Sequence, residues 1–422
     1  MNPPVPLELP VSRAPSYADC VRCGLCLESC PTYSETAAEA ESPRGRIAIM
    51  KALEQGRLDV SRESLVHLDR CLDCRACETA CPSGVRYGAL IEATRSRYAD
   101  APRGPKRLTG RLLDYFILRV LPNPRRLRRW LRAARLAEAV GLLDYLENSG
   151  ALRRLGIPRI PIRPARPSSF RATASRPRPA RPDQQPAALF LGCVNDVLSP
   201  QTHEATIRVL QRHGYAVARP GGQTCCGAIH LHAGRVEEAR QMARTNIEAF
   251  ERAGGSVVVN VAGCGAMLRE YGELLAADRR FASRAHNFSM RVRDVSELVA
   301  ARALHGSLQR PLRVAVHDPC HLCHAQRIRE APRTMLRAIN GITLVPLGES
   351  DTCCGAAGTY SLTQPDMSRR LAERKWRNIR AAAPEVVAAA NIGCIVQLQQ
   401  HAPQDLRHIR IVHPIELVDE AE

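Results

Sequence analysis

Cys20-Val-Arg-Cys23-Gly-Leu-Cys26-Leu-Glu-Ser-Cys30-Pro31 is followed later in the chain by Cys71-Leu-Asp-Cys74-Arg-Ala-Cys77-Glu-Thr-Ala-Cys81-Pro82. Three cysteines at three-residue steps, a fourth just beyond them and a closing proline occur twice. Thiolates are soft, anionic donors to iron, and this frame is the one that holds cubane [4Fe–4S] clusters. Four cysteines can also bind structural zinc, but zinc frames usually come as two separated Cys-x-x-Cys pairs. The stretch therefore reads as two [4Fe–4S] clusters held by short helices, a helical ferredoxin-like domain over residues 1–100.

In a doubled frame the first three cysteines wrap one cluster and the fourth ligates the other. Cys20, Cys23, Cys26 and Cys81 are assigned to cluster 1, and Cys71, Cys74, Cys77 and Cys30 to cluster 2. The proline after each fourth cysteine fixes the backbone as it leaves the site. Each frame completes the other's cluster, so neither is expected to fold alone. Between the frames, Ile47–Leu53 is an apolar run with helical potential. Leu65, Leu68 and Leu72 recur at helical spacing.

Outward from the frames, residues 1–17 are proline-rich and read as an extended arm. Residues 101–186 hold most of the chain's charge. Between Ala101 and Pro182 stand 20 Arg and Lys against 4 acids, a local +16 of the total +18. The cysteine-bearing regions are close to neutral, so no nucleic-acid partner is expected. A helical run from Arg111 breaks at Pro122-Asn-Pro124. A second helix then carries an arginine-dense face with Leu127, Trp130 and Leu131 opposite. It reads either as a helix lying on an anionic membrane surface or as a solvated basic helix packed on its neighbours. Residues 157–186 read as an extended linker.

The first residues lack the basic and apolar regions of a signal peptide, and no run is long enough to span a bilayer. A cytoplasmic chain is expected, with the inner face of the plasma membrane as the alternative location. Seventeen cysteines in that compartment point to metal or redox chemistry rather than disulfides.

From Ala187 a repeat appears. An apolar strand, Ala188–Gly192, ends at Cys193. A helix (Thr202 to His213), a strand (Tyr215 to Ala218) and the turn Thr224-Cys225-Cys226-Gly227 follow, then a helix, Ser256–Asn260 and Gly263-Cys264. The second copy runs through Leu312–His317, Cys320, Thr343–Leu347, Thr352-Cys353-Cys354-Gly355, Val386-Val387 and Gly393-Cys394. The offsets are 127, 128 and 130 residues. Cysteines at strand ends sit where open α/β sheets place their sites. The fold class is thus α+β multidomain, a helical ferredoxin-like domain followed by two repeated α/β halves, 187–302 and 303–422, expected to pack about a pseudo-two-fold.

Each half offers four sulfurs: Cys193, Cys225, Cys226 and Cys264, then Cys320, Cys353, Cys354 and Cys394. They read as ligands of a further iron–sulfur cluster, or as buried cysteines that pack like small apolar residues. Cys323 makes an extra Cys-x-x-Cys in the second copy. The pattern resembles the CCG-domain family, which includes the heterodisulfide reductase B subunit. It departs from that family where a closing Cys-x-x-Cys would begin, at Val261 and Asn391. That departure speaks against a five-cysteine cluster.

Over most of its length the chain resembles the iron–sulfur subunits of glycolate oxidase. The resemblance rests on Pro43-Arg-Gly-Arg-Ile47, His67–Tyr87, Gly263-Cys-Gly265 with Glu270-Tyr-Gly272, Cys353–Tyr360 and Ala390–Cys394. It implies a multi-subunit enzyme in which FAD-containing partner subunits oxidise glycolate to glyoxylate. This chain would carry the electrons on toward a quinone-type or membrane acceptor. Similar layouts serve anaerobic glycerol-3-phosphate and lactate dehydrogenases. A catalytic subunit like heterodisulfide reductase is the rival from another class. No G-x-G-x-x-G follows a strand and no catalytic triad stands out, so no catalytic residue is assigned here. The histidines near the cysteine turns (His203, His230, His232, His317, His321, His324) read as structural or tuning groups.

Overall fold

The computed structural model describes residues 15–101, 108–141, 184–302 and 306–422. The proline-rich start and nearly all of the linker lie outside the described residues.

The N-terminal unit is built from short helices, chiefly Pro31–Thr36, Pro43–Glu54, Arg62–Asp69 and Tyr87–Arg97. Pro31 and Pro43 open two of them, where their fixed φ suits the first turn. Ser42 accepts from the Gly45 amide, and Ser61 and Ser64 form a reciprocal cap. Helical spacing brings Ile47, Met50, Leu65, Leu68, Leu90 and Ile91 to one buried core. Each such side chain contributes about 1.5–3 kcal/mol by leaving water.

The basic segment forms a helix, Leu108–Tyr115, a wider π-type turn over Phe116–Val120, and a long helix, Pro124–Ala139. Asn123 caps the long helix by accepting from the Arg126 amide. Leu127 and Leu131 are buried against Val194, Val197 and Leu198, and Trp130 meets Phe116 at 4.8 Å between ring centroids. Arg128 reaches Asp196 at 2.5 Å. The apolar face thus packs on the first repeat, while Arg125, Arg126, Arg129, Arg132 and Arg135 stay exposed.

The two repeats form two four-stranded parallel sheets. The first holds β1 (Gln185–Leu189), β2 (Tyr215–Ala218), β3 (Ser256–Val259) and β4 (Val292–Asp294), ordered β2-β1-β3-β4. The second holds β5 (Gly306–His317), β6 (Ile339–Val345), β7 (Val386–Ala389) and β8 (Arg410–Val412), ordered β6-β5-β7-β8. Their apolar runs suit strands covered on both faces. β5 starts earlier than its apolar run, and its register shifts between Ser307 and Leu312, around Pro311, which has no amide for the ladder. In each sheet the chain reverses direction of winding between the first and third strands. That is the switch point where such sheets open a crevice.

The halves share a core in which Leu189, Val209 and Val299 meet Val314, Met335 and Leu417. Helix Pro200–Arg212 packs on Pro414–Ala421, and the equivalent pair, Glu330–Arg337 and Val295–Ala300, packs likewise. This exchange is what a pseudo-two-fold produces. Across it, Thr202 Oγ1 donates to Glu416 Oε1 at 2.5 Å and the Ala262 amide donates to the Ala390 carbonyl at 3.1 Å.

Candidate metal centres

Each cysteine frame bends in the same way. Arg22 and Gly24 flank Cys23 with φ of 56° and 86°, and Asp73 and Arg75 flank Cys74 with φ of 52° and 61°. Left-handed backbone on both sides of the middle cysteine turns the loop back on itself, and three of those four residues are not glycine. Such positions cost about 1–3 kcal/mol each and persist where the surroundings impose them. Here the turn aims sulfur inward: the Asp73 amide donates to Cys71 Sγ at 3.4 Å.

Cys30, Cys71, Cys74 and Cys77 line one small cavity together with Arg46 and Tyr87. All four cysteines are buried. The first frame's fourth cysteine therefore stands with the second frame's first three. Cys26 lies within electrostatic reach of Cys20, and Cys20, Cys26 and Cys81 pack on one core, with Cys23 exposed beside them. Burial, reinforced by the neighbouring sulfurs, pushes the Cys74 and Cys77 thiols well up.

Groups that favour negative sulfur surround this cavity. Tyr87 Oη donates to Cys71 Sγ at 3.5 Å, and Arg46 Nη1 stands 3.9 Å from Cys30 Sγ. Arg46, inside the Pro43–Ile47 stretch, is fully buried. Its Nη2 pairs with Glu41 at 2.7 Å, its Nε donates to the His67 carbonyl at 2.7 Å, and its Nη1 donates to Thr32 at 3.0 Å. Glu41 also holds His67 and Arg70 at 2.8 and 2.9 Å. This network ties the segment between the frames to the second frame. Convergent buried thiols with cationic and hydroxyl donors are a donor set that fits a thiolate-bound cluster.

A second network seats this unit on the repeats. Buried Arg75 meets Asp73 at 3.0 Å, Glu92 at 2.9 Å and Glu270 of the first repeat at 3.3 Å. A Cβ at Gly88 would lie 1.9 Å from the guanidinium, so any larger residue there would displace Arg75 from these carboxylates. His232 sits 3.0 Å from Asp73 and 3.3 Å from Glu92. Burial opposes its charge, but those carboxylates hold its pKa up at about 9. Burial raises Glu270 to about 7 against the pull of Arg75. From the second repeat, Tyr360 Oη donates to the Arg70 carbonyl at 2.9 Å, and His321 Nε2 is 3.0 Å from the Asp73 carbonyl. His324 Nδ1 meets Thr79 Oγ1 at 3.0 Å. The second frame is thereby tied to both repeats.

In each repeat the four cysteine sulfurs form a chain of contacts at the switch point. Cys193 Sγ donates to Cys225 Sγ at 3.4 Å, and Cys225 meets Cys226, which meets Cys264. The contact with Cys193 leaves Cys225 well below the usual thiol range and Cys193 well above it. In the second repeat Cys320 meets Cys353, Cys353 meets Cys354 and Cys354 meets Cys394. Asn391, at one of the two departing positions, donates from Nδ2 to Cys394 Sγ at 3.4 Å. Cys323 is buried, and its thiol donates to the Asp318 and Cys320 carbonyls at 3.9 and 3.8 Å. His203 and Asn195, Asn260 and Thr206 hydrogen-bond among themselves, which accounts for His203 structurally.

Comparison with known proteins matches the same regions. Residues 16–85 match a 4Fe-4S dicluster domain, and residues 187–269 and 314–399 match a cysteine-rich domain. The chain is 34% identical over 414 residues to the glycolate oxidase iron-sulfur subunit of Escherichia coli (strain K12), covering 95% of this chain and 93% of that one. The chain belongs to the glycolate oxidase iron–sulfur subunit family. A probable member from Bacillus subtilis (strain 168) is 33% identical over 96% of this chain and 93% of its own length. A lactate utilization protein A from Exiguobacterium sp. is 29% identical, but over only 55% of this chain, although that covers 96% of the relative. Family membership fits the α+β layout of a ferredoxin-type unit and two cysteine-rich repeats. Among solved structures, a hypothetical protein from Helicobacter pylori superposes with a TM-score of 0.55 at 9% identity, covering 92% of this chain and 68% of that one. At that identity the likeness concerns the fold alone. Among the described residues no helix is long and apolar enough to cross a membrane.

Proposed function

We propose that this chain is the electron-transfer subunit of a glycolate-oxidising complex. Its partners would be FAD-containing subunits that oxidise glycolate to glyoxylate, and its acceptor a quinone-type molecule. The ligand sets proposed are Cys20, Cys23, Cys26 and Cys81 for one [4Fe–4S] cluster, and Cys71, Cys74, Cys77 and Cys30 for the other. Such clusters supply one-electron transfer. The working units proposed are residues 1–100, 101–186, 187–302 and 303–422. The four sulfurs of the first repeat are the proposed place for a further cluster.

The observation that carries this reading is the cavity shared by Cys30 with Cys71, Cys74 and Cys77. The chain's own residues bind and tune. Tyr87 and the Asp73 amide donate to sulfur, Arg46 puts a positive charge beside Cys30, and Leu72 and Ala76 pack with Tyr360 and Leu371 to keep water out. Hydrogen bonds, charge and burial are the means by which a protein sets such potentials. The exposed arginines of Pro124–Ala139 are proposed to face an acidic partner or an anionic membrane surface.

Lactate is the alternative substrate for the complex. Glycolate is favoured because its relatives match this chain nearly end to end, and the lactate relative matches about half of it. The test is to co-express the chain with the subunits encoded beside it and to purify the complex anaerobically. Glycolate added to the complex should reduce its iron–sulfur centres, seen by EPR within turnover times. Reduction by lactate but not glycolate would refute the substrate assignment, and reduction by neither would refute the relay.

A further inference from the structure

The two repeats differ at two buried positions beside their cysteine turns. Leu189 faces Val258 across β1 and β3, and Val316 faces Ala388 across β5 and β7. The next residue is Phe190 in the first repeat and His317 in the second. Behind the turns, Ala239 lies against Gly227 and Ser368 against Gly355. Seven residues further along each helix stand Asn246 and Lys375. Asn246 accepts from the Thr224 amide and donates to the Cys225 carbonyl. Lys375 donates to the Glu349 carbonyl from a buried position. An aromatic ring and a neutral amide in one repeat are thus an imidazole and an ammonium in the other.

His317 is 1% exposed. The Ser350 backbone lies near its ring, yet neither ring nitrogen makes a hydrogen bond of normal geometry. Leaving a buried polar group unsatisfied is destabilising. A ring nitrogen of His317 and the sulfurs of Cys354 and Cys394 all lie within 4.8 Å of one another. Ligands held at about 2.0–2.3 Å around one tetrahedral ion stand roughly 3.3–3.8 Å apart, so a small closure brings these three onto one ion. A cubane instead gives each thiolate its own iron and spreads them further. The nearby Ser350 carbonyl is the kind of partner that orients a ligating imidazole through its other nitrogen. Lys375 lies within electrostatic reach of Cys353 and Cys354. Glu349 and Asp351 are within reach of its buried ammonium as well, and metal-bound thiolates would add to that compensating charge.

We propose that His317, Cys354 and Cys394 bind a single divalent ion of the zinc class, with Cys320 or Cys353 as fourth ligand. This deepens the reading of the cysteine turns as metal sites and depends on it for the second repeat only. The ion pins the end of β5 to the Cys-Cys-Gly turn and to the Asn391–Cys394 loop. Zinc carries no electrons, so the relay would bypass the second repeat and end in the first repeat or the ferredoxin-type unit.

The test uses the full chain, purified anaerobically, with zinc and iron counted in the same sample. About one zinc per chain is expected beside the iron. X-ray absorption at the zinc edge should show a mixed sulfur and nitrogen shell. His317→Phe installs the residue of the first repeat and should weaken zinc retention against a chelator at least tenfold, leaving both reduced cubane EPR signals in place. A wild-type chain without stoichiometric zinc, an all-sulfur shell, or unchanged retention in His317→Phe overturns the proposal. Missing cubane signals in wild type would refute the reading of the N-terminal frames instead, with the zinc count still readable.

Discussion

Replacing Arg46 by methionine should lower both the stability of the N-terminal unit and the potential of the cluster nearest to it. Arg46 is buried, pairs with buried Glu41 at 2.7 Å and stands 3.9 Å from Cys30 Sγ. Removing one partner of a buried ion pair costs about 3–5 kcal/mol because the other charge stays buried. Arg70 and His67 remain on Glu41 from partly exposed positions, which places the loss near the lower end, about 3 kcal/mol. The redox effect has a definite sign. A cation favours the extra electron, so its removal lowers the potential. With the added electron roughly 7 Å from the guanidinium and an effective dielectric of about 20, the interaction is about 2.4 kcal/mol. For a one-electron couple that is about 100 mV as an upper figure. The assay is an EPR-monitored redox titration of wild type, Arg46→Met and Arg46→Lys, with thermal unfolding in parallel. Arg46→Lys keeps the charge and should recover most of the potential but not the three-way hydrogen bonding. An Arg46→Met protein that retains both clusters with potentials unchanged within about 20 mV would refute the electrostatic argument.

Gly355 has φ of 88°, and a Cβ there would lie 2.5 Å from the Ser368 carbonyl oxygen. Gly355→Ala should therefore cost at least about 2 kcal/mol in thermal or denaturant unfolding. Gly84→Ala, at φ of 66° with open space around it, should cost about half as much. The junction around Arg75 should also lose stability as pH rises. His232 has its pKa raised to about 9, so its contribution is complete below about 6.5 and lost as pH climbs through 9. Glu270 is raised to about 7, so its protonated form is favoured in the fold, and it too loses stability between about 4.5 and 7. Melting curves of the clustered protein from pH 6 to 9 should show the decline, and His232→Gln should flatten its upper part. A wild-type curve that rises over this range would contradict the sign.

Much of the architecture is legible in the sequence because it follows from local rules. The cysteine spacing is fixed by a loop that must wrap a small object, and the strands Tyr215–Ala218 and Val386–Ala389 announce themselves as apolar runs before turns. The backbone devices inside the frames are less legible. Only Gly24 among the four left-handed positions is a glycine, and Arg22, Asp73 and Arg75 take that conformation under tertiary constraint. The ion networks could not be read at all. Arg46 and Glu41 look like surface residues of a polar segment, and Arg75 meets a carboxylate 195 positions away. No periodicity links such partners. The basic helix shows the same limit: its apolar stripe was visible, but whether a membrane or the first repeat covers Leu127 and Leu131 depends on distant Val197 and Leu198. His317 carried a faint signal, since aligning the repeats by Cys193 and Cys320 sets it opposite Phe190.

The two frames are proposed to interlock, each completing the other's cluster. EPR and iron counts on the reduced, anaerobically purified chain and on four single variants, Cys20→Ser, Cys81→Ser, Cys30→Ser and Cys74→Ser, decide this. The prediction is two cubane signals in wild type, one disturbed by both Cys20→Ser and Cys81→Ser, the other by both Cys30→Ser and Cys74→Ser. Cys30→Ser disturbing the signal that Cys20→Ser disturbs, or a folded wild type that is colourless and free of iron, would contradict the interlocked ligand sets.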